Sequence, residues 1–246
     1  MRLFSYNIHK GIGGRDRRCR LERIIAAIEH ENPDIVTLQE VDRHCKRSKN
    51  DDQPRLLAEW FKAEGHLFQL NVHNGEGGYG NLILSRWPIV SQHQISLRLK
   101  NRKPRGAQIA LIDTPEGKLL VVNMHLGLAE RERHWQVQHL LTHQLFLAES
   151  QHPTVVIGDL NDWRNTLAGL PFLEHGFHHI TGPPSKFRSF PAWLPIGSLD
   201  KAFCRGEFTI GEARVSRTAI AKVASDHLPL VVDLHLGNRV KDAKDA

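Results

Sequence analysis

The chain has 246 residues, 40% apolar and 24% charged, enough to bury a sizeable core in one large domain or two small ones and unlike a disordered or fibrous polymer. Lysine and arginine number 33 against 27 aspartates and glutamates, so the formal charge is +6, which suits an anionic partner: nucleic acid, a lipid headgroup or a small phosphate ester. Cys19, Cys45 and Cys204 are widely spaced and form no C-x-x-C pair, which argues against a disulfide framework or a cysteine zinc site; no apolar run approaches a membrane span.

The predicted elements alternate at first. Leu3 to Ile8 reads as a strand, and its early start leads us to expect no signal peptide and a cytoplasmic location. Leu21, Ile24, Ile25 and Ile28 fall at i, i+3, i+4 and i+7, the stripe of an amphipathic helix that ends before Pro33. Asp34 to Gln39 is the next strand, and a second helix is predicted over Pro54 to Glu64. Leu67–Val72, Asn81–Ser85, Ile89–Ile95, Ala107–Asp113 and Leu119–His125 read as consecutive strands of an antiparallel meander. One long helix is predicted from Glu130 to Glu149, with Val137, Leu140, Leu141, Leu145 and Ala148 on one side and Arg133 and Gln136 on an exposed face. The buried strand Val155–Gly158 follows, then an ordered proline- and aromatic-rich loop from Gly182 to Pro195, and late strands at Ser198–Phe203, Phe208–Ile210 and Leu230–Leu234. No linker divides this series, so residues 1–237 are expected to form one layered α/β domain, with a polar tail at 238–246.

Several of these strands end in polar chemistry. The strand Val155–Gly158 runs into Asp159, Asn161 and Asp162, and one further residue of strand would point Asp159 and Asn161 the same way. The first strand ends at Asn7, the second at Gln39-Glu40, the strand before the long helix at Asn123 and His125, and Ser225-Asp226-His227 precedes the last. One carboxylate at a strand exit is ordinarily a solvated cap; several that converge repel one another and need a cation. Oxygen donors such as Glu40 and Asp226 suit Mg²⁺ or Mn²⁺, whereas zinc favours histidine and cysteine. The cluster His175, His178 and His179 has no cysteine beside it and is not expected to bind metal.

At these residues the sequence resembles the endonuclease/exonuclease/phosphatase superfamily. The pieces are SYNIHKG from Ser5, PDIVTLQEV from Pro33, GNLILSR from Gly80, VNMHL from Val122, GDLN from Gly158, SLD from Ser198 and SDHLP from Ser225, in the family's order. NIHKG, HLGL, GDLNDWR and FRSFPAWLP look like a bacterial branch of small proteins. The resemblance implies a four-layer α/β sandwich, two packed mixed β-sheets flanked by helices, and a Mg²⁺-dependent phosphoesterase, foremost a phosphodiesterase of nucleic acid, with a phospholipid or sugar-phosphate ester as the alternative substrate and a non-catalytic binding protein as a further reading. It also implies that Glu40 is the main metal ligand, with Asp226 and Asn7 completing the site; a monomer is expected. Asp159 would orient or deprotonate the attacking water, Asn161 would hold Asp159 or a phosphate oxygen, and Asp200 would fix the tautomer of His227. Which of Asp159 and His227 acts as base stays open. His125 would donate to a non-bridging oxygen, and Arg105 and Lys10 would contact phosphate. His125 has no clear acidic partner in the sequence.

Overall fold

The computed structural model describes residues 1–169 and 171–237; the predicted tail at 238–246 lies outside them. In chain order the elements are β1 (Arg2–Asn7), α1 (Leu21–Glu31), β2 (Ile35–Arg43), α2 (Gln53–Trp60), β3 (Gly65–Asn74), β4 (Gly77–Ser85), β5 (Ile89–Ser96), β6 (Gly106–Thr114) and β7 (Gly117–His125). Then come α3 (Glu130–Thr142), α4 (Gln144–Leu147), β8 (Thr154–Asp159), β9 (His178–His179), β10 (Asp200–Arg205), β11 (Phe208–Val215), α5 (Ala221–Ala224) and β12 (Leu230–Leu236). They form two six-stranded mixed sheets, ordered β11-β12-β1-β2-β4-β3 and β5-β6-β7-β8-β10-β9. Each sheet has one parallel pair at its centre, β1 with β2 and β7 with β8, and antiparallel pairs outside it. The two layers therefore share one pairing pattern, each built around a strand–helix–strand crossover as parallel neighbours require.

Period-two alternation sorts the side chains into three cores. Leu3, Ile35, Val121, Val155, Ile157 and Ala202 point between the sheets. Phe4, Tyr6, Val36 and Leu38 point outward and join Ile24, Ala27 and Ile28 of α1. Val122, Met124, Val156 and Phe203 point to the other outer face and join Val137, Leu140 and Leu141 of α3. Strands buried on both faces read as nearly continuous apolar runs, which is why β8 looked like a core strand in sequence.

Three expectations are corrected. The stretch Leu67–His125 is not one meander: β3 and β4 belong to the first sheet, and β5, β6 and β7 to the second. The chain crosses between sheets at Ser85–Ile89, a step that alternation within strands does not encode. The predicted helix to Glu149 breaks at His143, which is extended (φ −72°, ψ 135°) and accepts a hydrogen bond from Leu145 N–H to start α4; Ala148 is exposed. Arg133 and Gln136 are not on an exposed face but are 3% and 0% exposed. Gln136 accepts from Gly127 N–H and donates to the Leu97 carbonyl, and Arg133 donates to the Leu128 carbonyl while lying 3.7 Å from Asp162. Both brace the loops around the site, and polar side chains used this way look like surface residues in sequence.

Candidate active site

The seam between the sheets changes character along its length. Beyond the apolar core lies a buried layer of amides. Gln39 donates to Asn123, and Asn123 donates to the carbonyls of Leu38 and Leu82 and to Gln108. Gln108 in turn donates to the Leu67 carbonyl, and Asn81 to that of Gly106. All but the Asn123–Gln108 bond, which joins neighbouring strands of the second sheet, stitch one sheet to the other, and together they satisfy groups that burial would otherwise penalise.

One step further along the same alternation comes the charged layer. Gly106 pairs with His125, His125 with Asp159, and Asp159 with Asp200, a single row across four strands of the second sheet. His125 lies four residues beyond Val121, and Asp159 and Asp200 lie two from Ile157 and Ala202, so all three enter the seam. Gly158 permits this crowding: its φ is +147°, and a Cβ there would sit 2.1 Å from the Met124 carbonyl oxygen.

Asp159 is almost wholly buried, and every approach to it is polar. Its Oδ2 accepts from Asn7 Nδ2 at 2.9 Å, and its Oδ1 accepts from the Asn161 backbone N–H at 3.0 Å. β8 stops at Asp159, and Asn161 turns into the left-handed region (φ 51°), so the two do not share a strand face as expected. The Asn161 side chain donates instead to the Leu126 carbonyl, while its backbone holds Asp159. His227 places Nε2 3.7 Å from Asp159 and is bonded through Nδ1 to Asp200 at 2.9 Å. Asp200 also accepts from the Ser189 hydroxyl, and the Phe190 ring packs against the His227 ring with centroids 4.8 Å apart.

The two histidines are driven to opposite charge states. Burial works against a charge on His227, but Asp200, Asp159 and Asp226 more than offset it and raise its pKa well above the ordinary imidazole value. Burial likewise lifts Asp159, which stays in the range of a working base even with His227 beside it. For His125, burial and the Arg105 charge both favour the neutral ring. Arg105 Nη1 lies 3.2 Å from His125 Nδ1, and a guanidinium can only donate. The proton of the neutral ring therefore sits on Nε2, 3.4 Å from Asp159 Oδ2. An arginine thus fills the place where an acidic partner was sought.

The metal candidates lie across the seam on the first sheet. Asn7 pairs with Gln39 in the β1–β2 register, which sets it beside the next residue, Glu40. The β2–β4 register shifts between Leu38 and Val41, and Glu40 takes φ 56°, a bulge that takes its side chain out of strict alternation. The Lys10 ammonium is bonded to the Glu40 carboxylate. Burial opposes the charge on Glu40, but the neighbouring cations, the Lys10 ammonium first among them, outweigh it and hold the group below the usual carboxylate range. Asn7 Oδ1 accepts from His9 N–H, the His9 ring lies 3.9 Å from Asp226, and the Ser225 hydroxyl donates to the Asn7 carbonyl. The oxygen donors of Glu40, Asn7 and Asp226, with a side-chain cation already seated on Glu40, fit a hard divalent ion. Among the described residues, the Asp/Glu/His/Cys group whose ligand atoms all lie within 4.8 Å of one another is Asp159, Asp200 and His227, where His227 Nδ1 is already bonded to Asp200.

A profile described as the Endonuclease/Exonuclease/phosphatase family matches residues 4–227. The chain belongs to the endonuclease/exonuclease/phosphatase family. This is a family of phosphoester hydrolases, and it accounts for the two-sheet sandwich. The chain is 29% identical to uncharacterized protein YbhP of Escherichia coli (strain K12), over 96% of each chain. Among solved structures it is similar to the Bacteroides thetaiotaomicron VPI-5482 mannosyl-6-phosphatase Bt3783 (15% identity, TM-score 0.72, 95% of this chain and 99% of that one). It is also similar to D. rerio TDP2 complexed with single strand DNA product (17% identity, TM-score 0.68, 96% of this chain and 98% of that one).

Sequence reasoning missed His9, Ser189 and Phe190. All three lie inside quoted family pieces, NIHKG and FRSFPAWLP, but nothing in residue type or spacing marked their side chains. Two histidines of the 175–179 cluster have local partners: His175 contacts the Pro171 carbonyl, and His179 contacts Thr181 and stacks on Phe203.

Proposed function

We propose that the chain is a divalent-cation-dependent phosphodiesterase that hydrolyses nucleic acid by in-line attack of water on phosphorus. The observation that carries this reading is the row His125–Asp159–Asp200 with His227, in which one buried carboxylate of raised proton affinity stands between a charged and a neutral histidine. Asp159, fixed by Asn7 and the Asn161 backbone, accepts the proton of the attacking water. His227, oriented by Asp200, and the Nε2–H of His125 face the phosphoryl oxygens as donors where negative charge builds. Lys10 and Arg105 add positive charge at the same mouth. Glu40, Asn7 and Asp226 would hold the divalent ion, which supplies Lewis-acid stabilisation of the phosphoryl and leaving oxygens when bound.

The net charge of +6 favours nucleic acid as the substrate. A phospholipid headgroup ester is the second reading, favoured by the apolar side chains beyond Phe190: Trp193, Leu194 (65% exposed), Ile196 (62% exposed) and Trp163, which meets Phe190 edge-on. Purified protein incubated with DNA, RNA and phospholipid vesicles separates the two. We expect nucleic acid to be cleaved with Mg²⁺ or Mn²⁺, EDTA to stop cleavage, and Asp159→Asn to be inactive. Intact nucleic acid beside cleavage of the headgroup ester in vesicles would establish the second reading instead. Calorimetric titration should show weakened Mg²⁺ binding in Glu40→Gln; unchanged affinity would remove Glu40 as the anchor.

A further inference from the structure

The hairpin joining β5 to β6 reads L97-R-L-K-N-R-K-P-R105, five cations in nine residues with no carboxylate. Arg98, Lys100, Arg102 and Lys103 are exposed, and none of the four forms an ion pair among the described residues. The hairpin is nonetheless held in place. Leu97 N–H donates to the Arg105 carbonyl, Gln136 donates to the Leu97 carbonyl, and Arg102 N–H closes a turn onto Leu99. Unpaired cations on an anchored loop repel one another and favour an anion that lies along them.

Two links join this loop to the catalytic row. Ser96 pairs with Gly106 and Gly106 with His125, so the hairpin springs from the same row as the proposed catalytic side chains, and Arg105 at its base reaches His125. Along the other side, the Tyr79 ring gathers Lys103 at 5.4 Å, Lys10 at 5.0 Å and Arg47 at 5.4 Å. Lys10 is bonded to Glu40 and Arg47 to Asp42, whereas Lys103 has no carboxylate. Cationic side chains therefore extend from the hairpin, over Tyr79, toward the metal candidate, with Lys103 the one of the three that has no carboxylate partner among the described residues.

We propose that the 98–103 hairpin grips the phosphate chain of a nucleic-acid strand that leads away from the scissile phosphate. This rests on the phosphodiesterase reading and adds to it that the substrate is a polymer, since a lone phosphate ester has no charge to place so far from the row. A nucleic acid fits better than an anionic membrane because the hairpin exposes no large apolar side chain for insertion: Leu97 is buried and Leu99 half-buried. The exposed apolar tips, Trp193, Leu194 and Ile196, sit instead on the loop that leads into Asp200, the residue at the opposite end of the row.

The test is the combined variant Arg98→Gln, Lys100→Gln, Arg102→Gln and Lys103→Gln, with circular dichroism to confirm the fold. Binding of a labelled single-stranded DNA oligonucleotide is measured in an Asp159→Asn background against salt concentration, and turnover is measured with Asp159 intact. Each lost phosphate contact should flatten the slope of log affinity against log salt by about 0.7, so the four together should flatten it by about 3. KM for the oligonucleotide should rise while kcat/KM for bis(p-nitrophenyl) phosphate stays at the parent value. A salt slope and KM equal to the parent's would overturn the proposal, as would anionic vesicles that bind through these four cations while DNA does not. If the parent protein hydrolyses neither ester, the phosphodiesterase reading fails by itself, and the DNA-binding slope still decides the grip.

Discussion

His227 and His125 flank the same carboxylate at 3.7 and 3.4 Å, yet their partners give them different tasks. Asp200 keeps the first protonated, while burial and Arg105 keep the second neutral, and Arg105 places its proton on Nε2. If Asp200 acts through His227, then Asp200→Ala and His227→Ala remove one unit, and the double variant should lose little more than the worse single variant. Additive losses in kcat would show two independent roles. The pH profile carries a second expectation. Asp159 must be ionised to accept a proton, and burial lifts its pKa to about 6, above the usual carboxylate range. Activity should therefore be present above this value and fall as pH drops through it. A kcat/KM profile that is flat down to pH 4.5 would assign the base elsewhere. These residues drew attention in sequence because several strands end in polar chemistry together, where one carboxylate alone would be an ordinary cap, and their roles were implied by the ordered family pieces. Arg105 as the partner of His125 was not legible, because the contact depends on the β6–β7 register and not on any local spacing.

At the scale of elements, strand ends place the chemistry and irregularities aim it. The bulge at Glu40, the left-handed turn at Asn161 and the close approach at Gly158 each depart from regular strand geometry beside the row. Gly158→Ala would press a Cβ into the Met124 carbonyl at a backbone angle that side chains rarely adopt. We expect it to destabilise the fold by about 2–3 kcal/mol, read by urea unfolding. Stability within about 0.5 kcal/mol of the parent, the size of a neutral surface change, would mean that β7 and β8 have slack there. Local periodicity located most of the strands and α1, since an apolar alternation or stripe is itself the signal. It overran at His143, where an extended backbone and a side-chain cap on α4 break the helix while the composition on both sides stays helical. It also could not divide the predicted meander, because strands of both sheets alternate alike.

Across the whole molecule, two layers with the same pairing pattern face each other, and the space between them grades from apolar core through an amide layer to charge. The gradient explains how carboxylates can be buried: the amides order both sheets rigidly just beneath them, and the crowded charge is offset by His227, Lys10 and Arg105. Each sheet contributes one half of the proposed machinery, the metal donors from the first and the row from the second. The ordered family pieces made this architecture legible, whereas the gradient becomes visible only once both sheets are packed.

The most direct test of the account is the rate of phosphodiester hydrolysis as a function of Mg²⁺ concentration for the parent, Asp159→Asn and Glu40→Gln. The account predicts that Asp159→Asn loses about a thousandfold in kcat, the scale of a general base, while calorimetry finds its Mg²⁺ affinity kept. Glu40→Gln should instead shift the Mg²⁺ dependence to higher concentration and recover part of its rate there. Turnover by Asp159→Asn at the parent rate, or a Mg²⁺ dependence unmoved in Glu40→Gln, would contradict it.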